Sequence, residues 1–414
     1  MIAGRSDRVR LLYIQPAEGF GGAERQGVLH MAQLARHGFD VIPVVGPGQP
    51  IREALAQQGI SEYVFLDDFC HEAWGPVPRF GALPFAARFL ADWWRTARTV
   101  YRIARERHVE LIFANRSTGW MVAGGVARLL GIPQVWRGGS RITKRIEAVV
   151  MRGLSSVFGP DLLLANCEAV RADLAPQVSC PSLILPNGVD TRRFDPARVA
   201  PRYRQMLGLD ADVPLVGLAA RPAPEKGMEL LARVVELTAQ RVPAVRFLVA
   251  GEFGWRPHFE AMFAARGLAD RLRFIGHVSE MEGFLRSCDV SVLTSKEKSI
   301  EGSPNSLLES MAMECPVVAT SVGGVTETLT DGVQGFLVPP DDAEAFSGHL
   351  VNLLGDRELR RHMGAAGRAR VLERHRLDRV VGDLAGMLHD VHAHRLGAAS
   401  TVAPLPVDAR SASG

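Results

Sequence analysis

Short apolar runs, each ending in a polar or glycine-rich loop and followed by a helical pattern, recur along most of this chain. Runs of that kind are buried on both faces, and the arrangement that achieves this is a parallel sheet covered by helices. In the first half they fall at 10–14, 41–45, 111–114, 131–136, 162–165 and 183–185. In the second half they fall at 213–220, 245–250, 273–275 and 289–295. The first run leads into Gly19-Phe-Gly-Gly-Ala-Glu24 and then a helix with apolar positions Val28, Leu29, Ala32, Leu34 and Ala35, stopped at Gly38. Strand, glycine turn and helix open a doubly wound α/β domain. At 414 residues the chain exceeds one ordinary core. The expectation is two such domains, at 1–195 and 213–375, joined by a Pro-, Arg- and Asp-rich linker at 196–212. A last helix at 376–395 and an Ala-, Ser- and Pro-rich tail at 396–414, read as disordered, complete the chain.

The most informative loop is the one after the run 289–295. There Glu301-Gly-Ser-Pro-Asn-Ser-Leu-Leu-Glu309 places one carboxylate on the loop and a second two turns inside the helix that follows. Ser303 reads as the N-cap and Pro304 as the first helical residue, with Leu307, Leu308 and Met311 as the apolar stripe. A helix N-terminus at the carboxyl edge of a parallel sheet favours an anion, typically a phosphate. Carboxylates nearby accept from paired hydroxyls, such as those of a sugar or ribose.

Glu301 and Glu309 in this setting resemble the paired-glutamate motif of the family-4 retaining glycosyltransferases. The same resemblance continues through Pro316-Val-Val-Ala-Thr320, Gly323-Gly324, Glu327 and the segment 331–340. It also takes in Arg221 and Lys226, five residues apart, the Gly21–Gly22 pair, and Leu183-Ile-Leu-Pro-Asn-Gly-Val-Asp190. The resemblance implies the GT-B fold: two Rossmann-like domains facing each other across a cleft, with the terminal helix crossing back. It implies a hexose moved from a nucleotide sugar to a saccharide or lipid-linked acceptor, with retention of anomeric configuration. Glu301 would meet the sugar hydroxyls and Glu309 the ribose. Arg221 and Lys226 would hold the diphosphate, whose negative charge grows as the glycosidic bond breaks. The backbone at Ser303 and Asn305, the Gly21–Gly22 loop, Leu307 and the backbone of Val278 would complete the donor side. No cofactor and no metal are expected. Asp210-Ala-Asp212 has the spacing of a metal-binding pair but falls in the linker, where a solvated turn is the simpler reading.

The acceptor side departs from the commoner family pattern, which places histidines after two strands of the first domain. Asn115 stands near one such point, and Arg137 or Gly138 near the other. Arg137 and Arg141 are candidates for an anionic acceptor group, and a merely solvated basic loop is the competing reading. The missing histidines leave open an alternative, a nucleotide-sugar-binding protein of the same fold that has lost transfer.

Charge adds one hint. Residues 1–195 hold 23 Lys+Arg against 18 Asp+Glu, and the remainder 25 against 27, so the first half is basic by five and the second acidic by two. Six arginines between 84 and 107 face Asp92 and Glu106 on an amphipathic pattern whose apolar stripe is Leu90, Trp93, Ala97, Val100 and Ala104. Two readings stand: a helix pressed onto anionic membrane, and an ordinary helix with a solvated basic face. No arginine-aromatic nucleic-acid module is present, so nucleic acid is not an expected partner. Five cysteines without C-x-x-C spacing, no signal-peptide pattern and no long apolar run point to a cytoplasmic protein, with the inner membrane face as its place if the basic helix binds lipid.

Overall fold

The computed structural model describes residues 8–16, 20–66, 82–142, 145–252, 254–297 and 301–393, and the structural statements below concern those residues. The chain divides into two compact units, one reaching to Pro186 and resuming at Asp378, the other spanning Asn187–Leu377.

The first unit is a seven-stranded parallel sheet in the order β3-β2-β1-β4-β5-β6-β7. Its strands are β1 (Val9–Gln15), β2 (Phe39–Val45), β3 (Val64–Phe65), β4 (Leu111–Asn115), β5 (Gln134–Gly138), β6 (Leu162–Ala165) and β7 (Ser182–Ile184). Between them run α1 (Gly22–Leu34), α2 (Gln49–Gln57), α3 (Ala82–Glu106), α4 (Arg116–Leu130), α5 (Arg145–Phe158) and α6 (Glu168–Leu174). Leu11, Leu12, Tyr13 and Ile14 of β1 are wholly buried, as a central strand covered on both faces requires. Because β2 and β3 lie on one side of β1 and β4 on the other, the strand order reverses between β1 and β4. Loops at that reversal open outward, which is where this class of sheet binds ligands.

The second unit repeats the plan with six parallel strands in the order β10-β9-β8-β11-β12-β13. It begins with the short helix α7 (Arg202–Met206), then β8 (Leu215–Ala219), α8 (Met228–Arg241), β9 (Arg246–Ala250), α9 (Arg256–Ala265), β10 (Leu272–Gly276) and α10 (Met281–Ser287). Next come β11 (Val290–Leu293), α11 (Asn305–Ala312), β12 (Val317–Thr320), α12 (Val325–Thr328), β13 (Gly335–Val338), α13 (Ala343–Gly355) and α14 (Arg357–Arg374). Here the reversal lies between β8 and β11, so the loops after those two strands are brought side by side.

Three expectations need correction. The passage between units falls at Pro186/Asn187, ahead of the expected linker. Segment 196–212 packs onto the second unit: Arg204 bonds Ser287 O and Val213 O at 2.9 and 2.6 Å and pairs with Asp289 at 2.6 Å. The helix at 84–107 forms, but Leu90 is 58% exposed, whereas Trp93 is held to α4 by its Nε1, which donates to Met121 O at 3.1 Å. The closing helix α15 (Leu377–His392) docks on the first unit, with His389 stacked on Phe39 at 4.4 Å and bonded to His37 O at 2.9 Å. The expected disordered tail lies outside the described residues.

Candidate active site

In the second unit, the loops after β8 and β11 are joined at close quarters. Thr294 Oγ1 donates to Lys226 O at 2.8 Å, and Lys296 N donates to Glu225 O at 3.1 Å. Gly227 makes this approach possible: its φ is +67°, and a Cβ there would overlap Thr294 O. The result is that Lys226 Nζ forms an ion pair with Glu301, whose Oε1 also accepts from Ser295 Oγ at 2.8 Å. Glu301 is 9% exposed, so the pair is largely withdrawn from water. Its backbone rests against Gly323, with φ +49°, where a Cβ would overlap Glu301 O.

The loop then enters α11 one residue later than the sequence pattern indicates. Pro304, extended at ψ 123°, takes the N-cap position, and Asn305 is the first helical residue. Ser303 is therefore not the cap. Its hydroxyl is buried and bonds no protein atom, while its carbonyl accepts from Asn187 Nδ2 at 2.7 Å. The same Asn187 nitrogen donates to Asn305 Oδ1 at 2.8 Å. Leu307, Leu308 and Met311 enter the core beneath, and Ser310 Oγ donates to Ser291 Oγ of β11 at 2.8 Å. Glu309 is 6% exposed. Val278 is also in that core, which leaves its backbone as the part available to a ligand. Arg221 stands exposed on the loop after β8. Sequence reading assigned Lys226 and Glu301 to different ligand groups and did not foresee their pairing, nor the parts played by Ser295, Thr294 and Gly323. An Asn-Gly pair such as Asn187-Gly188 is a turn signal in any sequence, and nothing local points to its distant partners.

In the first unit, the glycine loop is more committed than expected. Gly21 N donates to Glu24 Oε2 at 2.9 Å, and Glu24, 2% exposed, also pairs with Arg116 at 2.8 Å. Gly21 thus has its amide engaged and can contribute close backbone approach; residues 17–19 of the loop lie outside the described residues. Asn115 and Arg137 are register partners at the ends of β4 and β5, each 3% exposed. Neither is a solvent-facing contact. Asn115 Nδ2 donates to Tyr13 Oη at 3.1 Å and to Gln15 Oε1 at 2.6 Å. Tyr13 Oη also shares a hydrogen bond with His30 Nδ1, 3.2 Å away. His30 is fully buried; burial first, and Arg137 second, hold its pKa well below the ordinary histidine value. Burial raises Tyr13 to about 12. Arg141 bonds Asp173 at 2.9 Å, which raises its pKa. The three acceptor-side candidates therefore do not gather into an open basic loop. A histidine does lie in this cluster, on α1 instead of after a strand, and its isolation from other polar residues in sequence concealed it.

Among the described residues no three His, Cys, Asp or Glu side chains converge as a metal-binding group. Cys167, Cys180, Cys288 and Cys315 are free thiols.

The chain thus combines two doubly wound parallel units with, in the second, a helix start beside a buried lysine–glutamate pair. Comparison with known proteins narrows this. The pattern of the Glycosyltransferase Family 4 matches residues 20–193, and that of the Glycosyl transferases group 1 matches 199–370. A GDP-mannose-dependent alpha-(1-6)-phosphatidylinositol monomannoside mannosyltransferase of Mycobacterium tuberculosis is 30% identical over 306 residues, covering 71% of this chain and 72% of that protein. The chain belongs to glycosyltransferase family 4. An alpha-D-kanosaminyltransferase of Streptomyces kanamyceticus is 30% identical over 45% of this chain and 48% of its own length. The lipopolysaccharide core mannosyltransferase LpsB of Rhizobium meliloti is 30% identical over 50% of this chain and 61% of its own. The match thus spans about half the length of several such relatives. Among solved structures, Anabaena Alr3699/HepE in complex with UDP superposes with a TM-score of 0.74 at 20% identity, over 92% of this chain and all of that one. That likeness is one of fold.

Proposed function

We propose that this chain is a retaining glycosyltransferase that moves a hexose from a nucleoside diphosphate sugar to a saccharide or lipid-linked acceptor in cell-envelope polysaccharide or lipopolysaccharide assembly. The observation that carries the reading is the Lys226–Glu301 pair, buried beside the start of α11, where the Ser303 hydroxyl has no protein partner. A diphosphate at that helix start competes with Glu301 for the ammonium, and Arg221 supplies a second cation from the same loop. Glu301 then accepts from sugar hydroxyls and Glu309 from the ribose. The backbone at Val278 faces the base, and Asn305 and Leu307 line the donor side. As the bond to the anomeric carbon breaks, the electron pair passes to the leaving diphosphate, held by Lys226, Arg221 and helix amides. The acceptor oxygen attacks from the same face, and its proton passes to the departing phosphate oxygen. The cations take the place a metal ion holds elsewhere, so no metal and no cofactor are assigned.

Relatives whose names specify GDP-mannose and a neighbour bound to UDP make GDP-mannose and UDP-glucose the first donors to try. Thermal melts with UDP, GDP and ADP test the reading first. A ligand at a hundredfold its Kd stabilises by about 2.7 kcal/mol. One nucleotide is expected to raise the melting temperature, with the shift lost in Glu309→Ala and Arg221→Ala. Turnover with retained configuration then separates an enzyme from a binding protein without transfer. No shift with any nucleotide overturns the proposal.

A peripheral contact with anionic membrane is part of the same reading. α4 packs between α3 and α5, so the three present one layer. That layer exposes Leu90, Trp94, Leu129, Ile146, Val149 and Val157 beside Arg88, Arg95, Arg98, Arg102, Arg145 and Arg152. No helix among the described residues is long and apolar enough to cross a membrane, so such contact would be superficial. The inner face of the plasma membrane is the place this proposal assigns.

A further inference from the structure

Asn187 is the residue at which the chain enters the second unit, and it is 6% exposed. Its side chain reaches 116 residues ahead, to the Ser303 carbonyl at 2.7 Å, and to Asn305 Oδ1 at 2.8 Å. These two residues flank Pro304, and together they set the direction in which α11 begins. Its own carbonyl lies 3.2 Å from His375 Nδ1, two residues before the point at which the chain leaves the unit. The entering and leaving segments are tied again by Val189 N to His375 O at 2.8 Å and Leu377 N to Val189 O at 2.9 Å, a parallel bridge between Val189 and Arg376. Residues 301–304 have no regular structure, and their anchors include the Lys226–Glu301 pair, the Ser295–Glu301 hydrogen bond, the Gly323 contact and the Asn187 amide. The first three act on Glu301. Asn187 acts on the turn that aims the first amides of α11.

We propose that Asn187 is a positioning residue for the donor site, holding Ser303 and Asn305 so that the opening amides of α11 meet the diphosphate. The inference rests on the donor reading of the Lys226–Glu301 site. A primary amide suits the task because it is the donor in both contacts, and a carboxylate of equal size would set acceptor against the Ser303 carbonyl. Asn187→Asp therefore inverts the contact while preserving shape, and Asn187→Ser removes the reach with little risk to folding.

In the full-length protein, both variants are expected to speed amide hydrogen exchange across 301–308 without ligand. They are expected to weaken nucleoside diphosphate binding about tenfold, the scale of one or two lost buried hydrogen bonds. Donor KM should rise with acceptor KM unchanged. A cycle with Asn305→Ala should show non-additive losses in nucleotide affinity. Unaltered exchange at 301–308 overturns the inference by itself. Altered exchange with unchanged nucleotide affinity also overturns it, reducing Asn187 to a stabilising contact. If the wild-type protein binds no nucleotide while exchange still responds, the donor reading has failed and the positioning role in catalysis falls with it, although the latch stands. The two failures are thereby distinguished.

Discussion

Lys226 and Glu301 lie 75 residues apart, on loops that sequence reading treats separately, yet their side chains share one buried ion pair. Side-chain exposures of 19% and 10% make the pair costly to break from one side, because the remaining charge stays desolvated. Lys226→Met is expected to lower stability by about 3 kcal/mol, and adding Glu301→Gln should restore much of that loss, read from urea midpoints. Additive losses would show that the pair is not coupled. His30 gives a second test with a definite sign. Its folded pKa is depressed, so below the unfolded value near 6.5 the unfolded state binds the extra proton. Stability should therefore fall as pH drops below about 6.5, by on the order of 1 kcal/mol per unit, and His30→Gln should flatten the slope. An unchanged slope in the variant would assign the pH dependence to other groups. Glu301, Glu309, Arg221 and Lys226 were legible in sequence as residue types at motif spacing. Their pairing was not, because it depends on which loops the sheet order makes neighbours.

At the scale of elements, most strands and the helix at 84–107 could be read from apolar runs and periodicity. What failed was fine geometry at functional ends. α11 starts at Asn305 and not Pro304, since Asn187 and the Gly323 contact fix the preceding turn from outside the segment. Such long-range anchors leave no local pattern. Asn115 was found near the end of β4 and Arg137 or Gly138 near the end of β5, but strand ends do not reveal burial, and Asn115 and Arg137 are both buried. The Gly323 turn yields a sharp prediction. Its φ of +49° and its approach to Glu301 O leave no room for a methyl group. Gly323→Ala should displace the Glu301 loop, cost about 1–3 kcal/mol and weaken nucleotide binding at least as much as losing a direct contact. Calorimetric titration showing wild-type affinity in a folded Gly323→Ala protein would mean that the loop position does not matter to the ligand.

Over the whole molecule, each unit carries its own core and its own strand-order reversal, between β1 and β4 in one and between β8 and β11 in the other. Two α/β units were readable from length and alternation, whereas the crossing at Pro186/Asn187 was not, because a segment rich in Pro, Arg and Asp looks alike whether it links units or anchors to one. Charge asymmetry has its structural counterpart in the α3–α5 layer, where exposed Leu90 and Trp94 stand among arginines and Asp92 is already paired with Arg88 and Arg95. A solvated basic face requires the arginines and does not account for the exposed Leu and Trp. On the membrane proposal anionic lipid would engage both, with roughly 1 kcal/mol from each arginine near the surface and further gain from buried apolar area. Full-length protein should therefore co-sediment with phosphatidylglycerol vesicles far better than with phosphatidylcholine vesicles, and less so as salt rises. Leu90→Ser with Trp94→Ser should lower the anionic binding about tenfold or more while leaving the unfolding midpoint nearly unchanged, since both side chains are already in water. Equal binding to both lipids, or none to either, would return α3 to the role of an ordinary covering helix. Loss of binding only on charge reversal of the arginines, with the serine variant unaffected, would limit the contact to electrostatics and exclude insertion of Leu90 and Trp94.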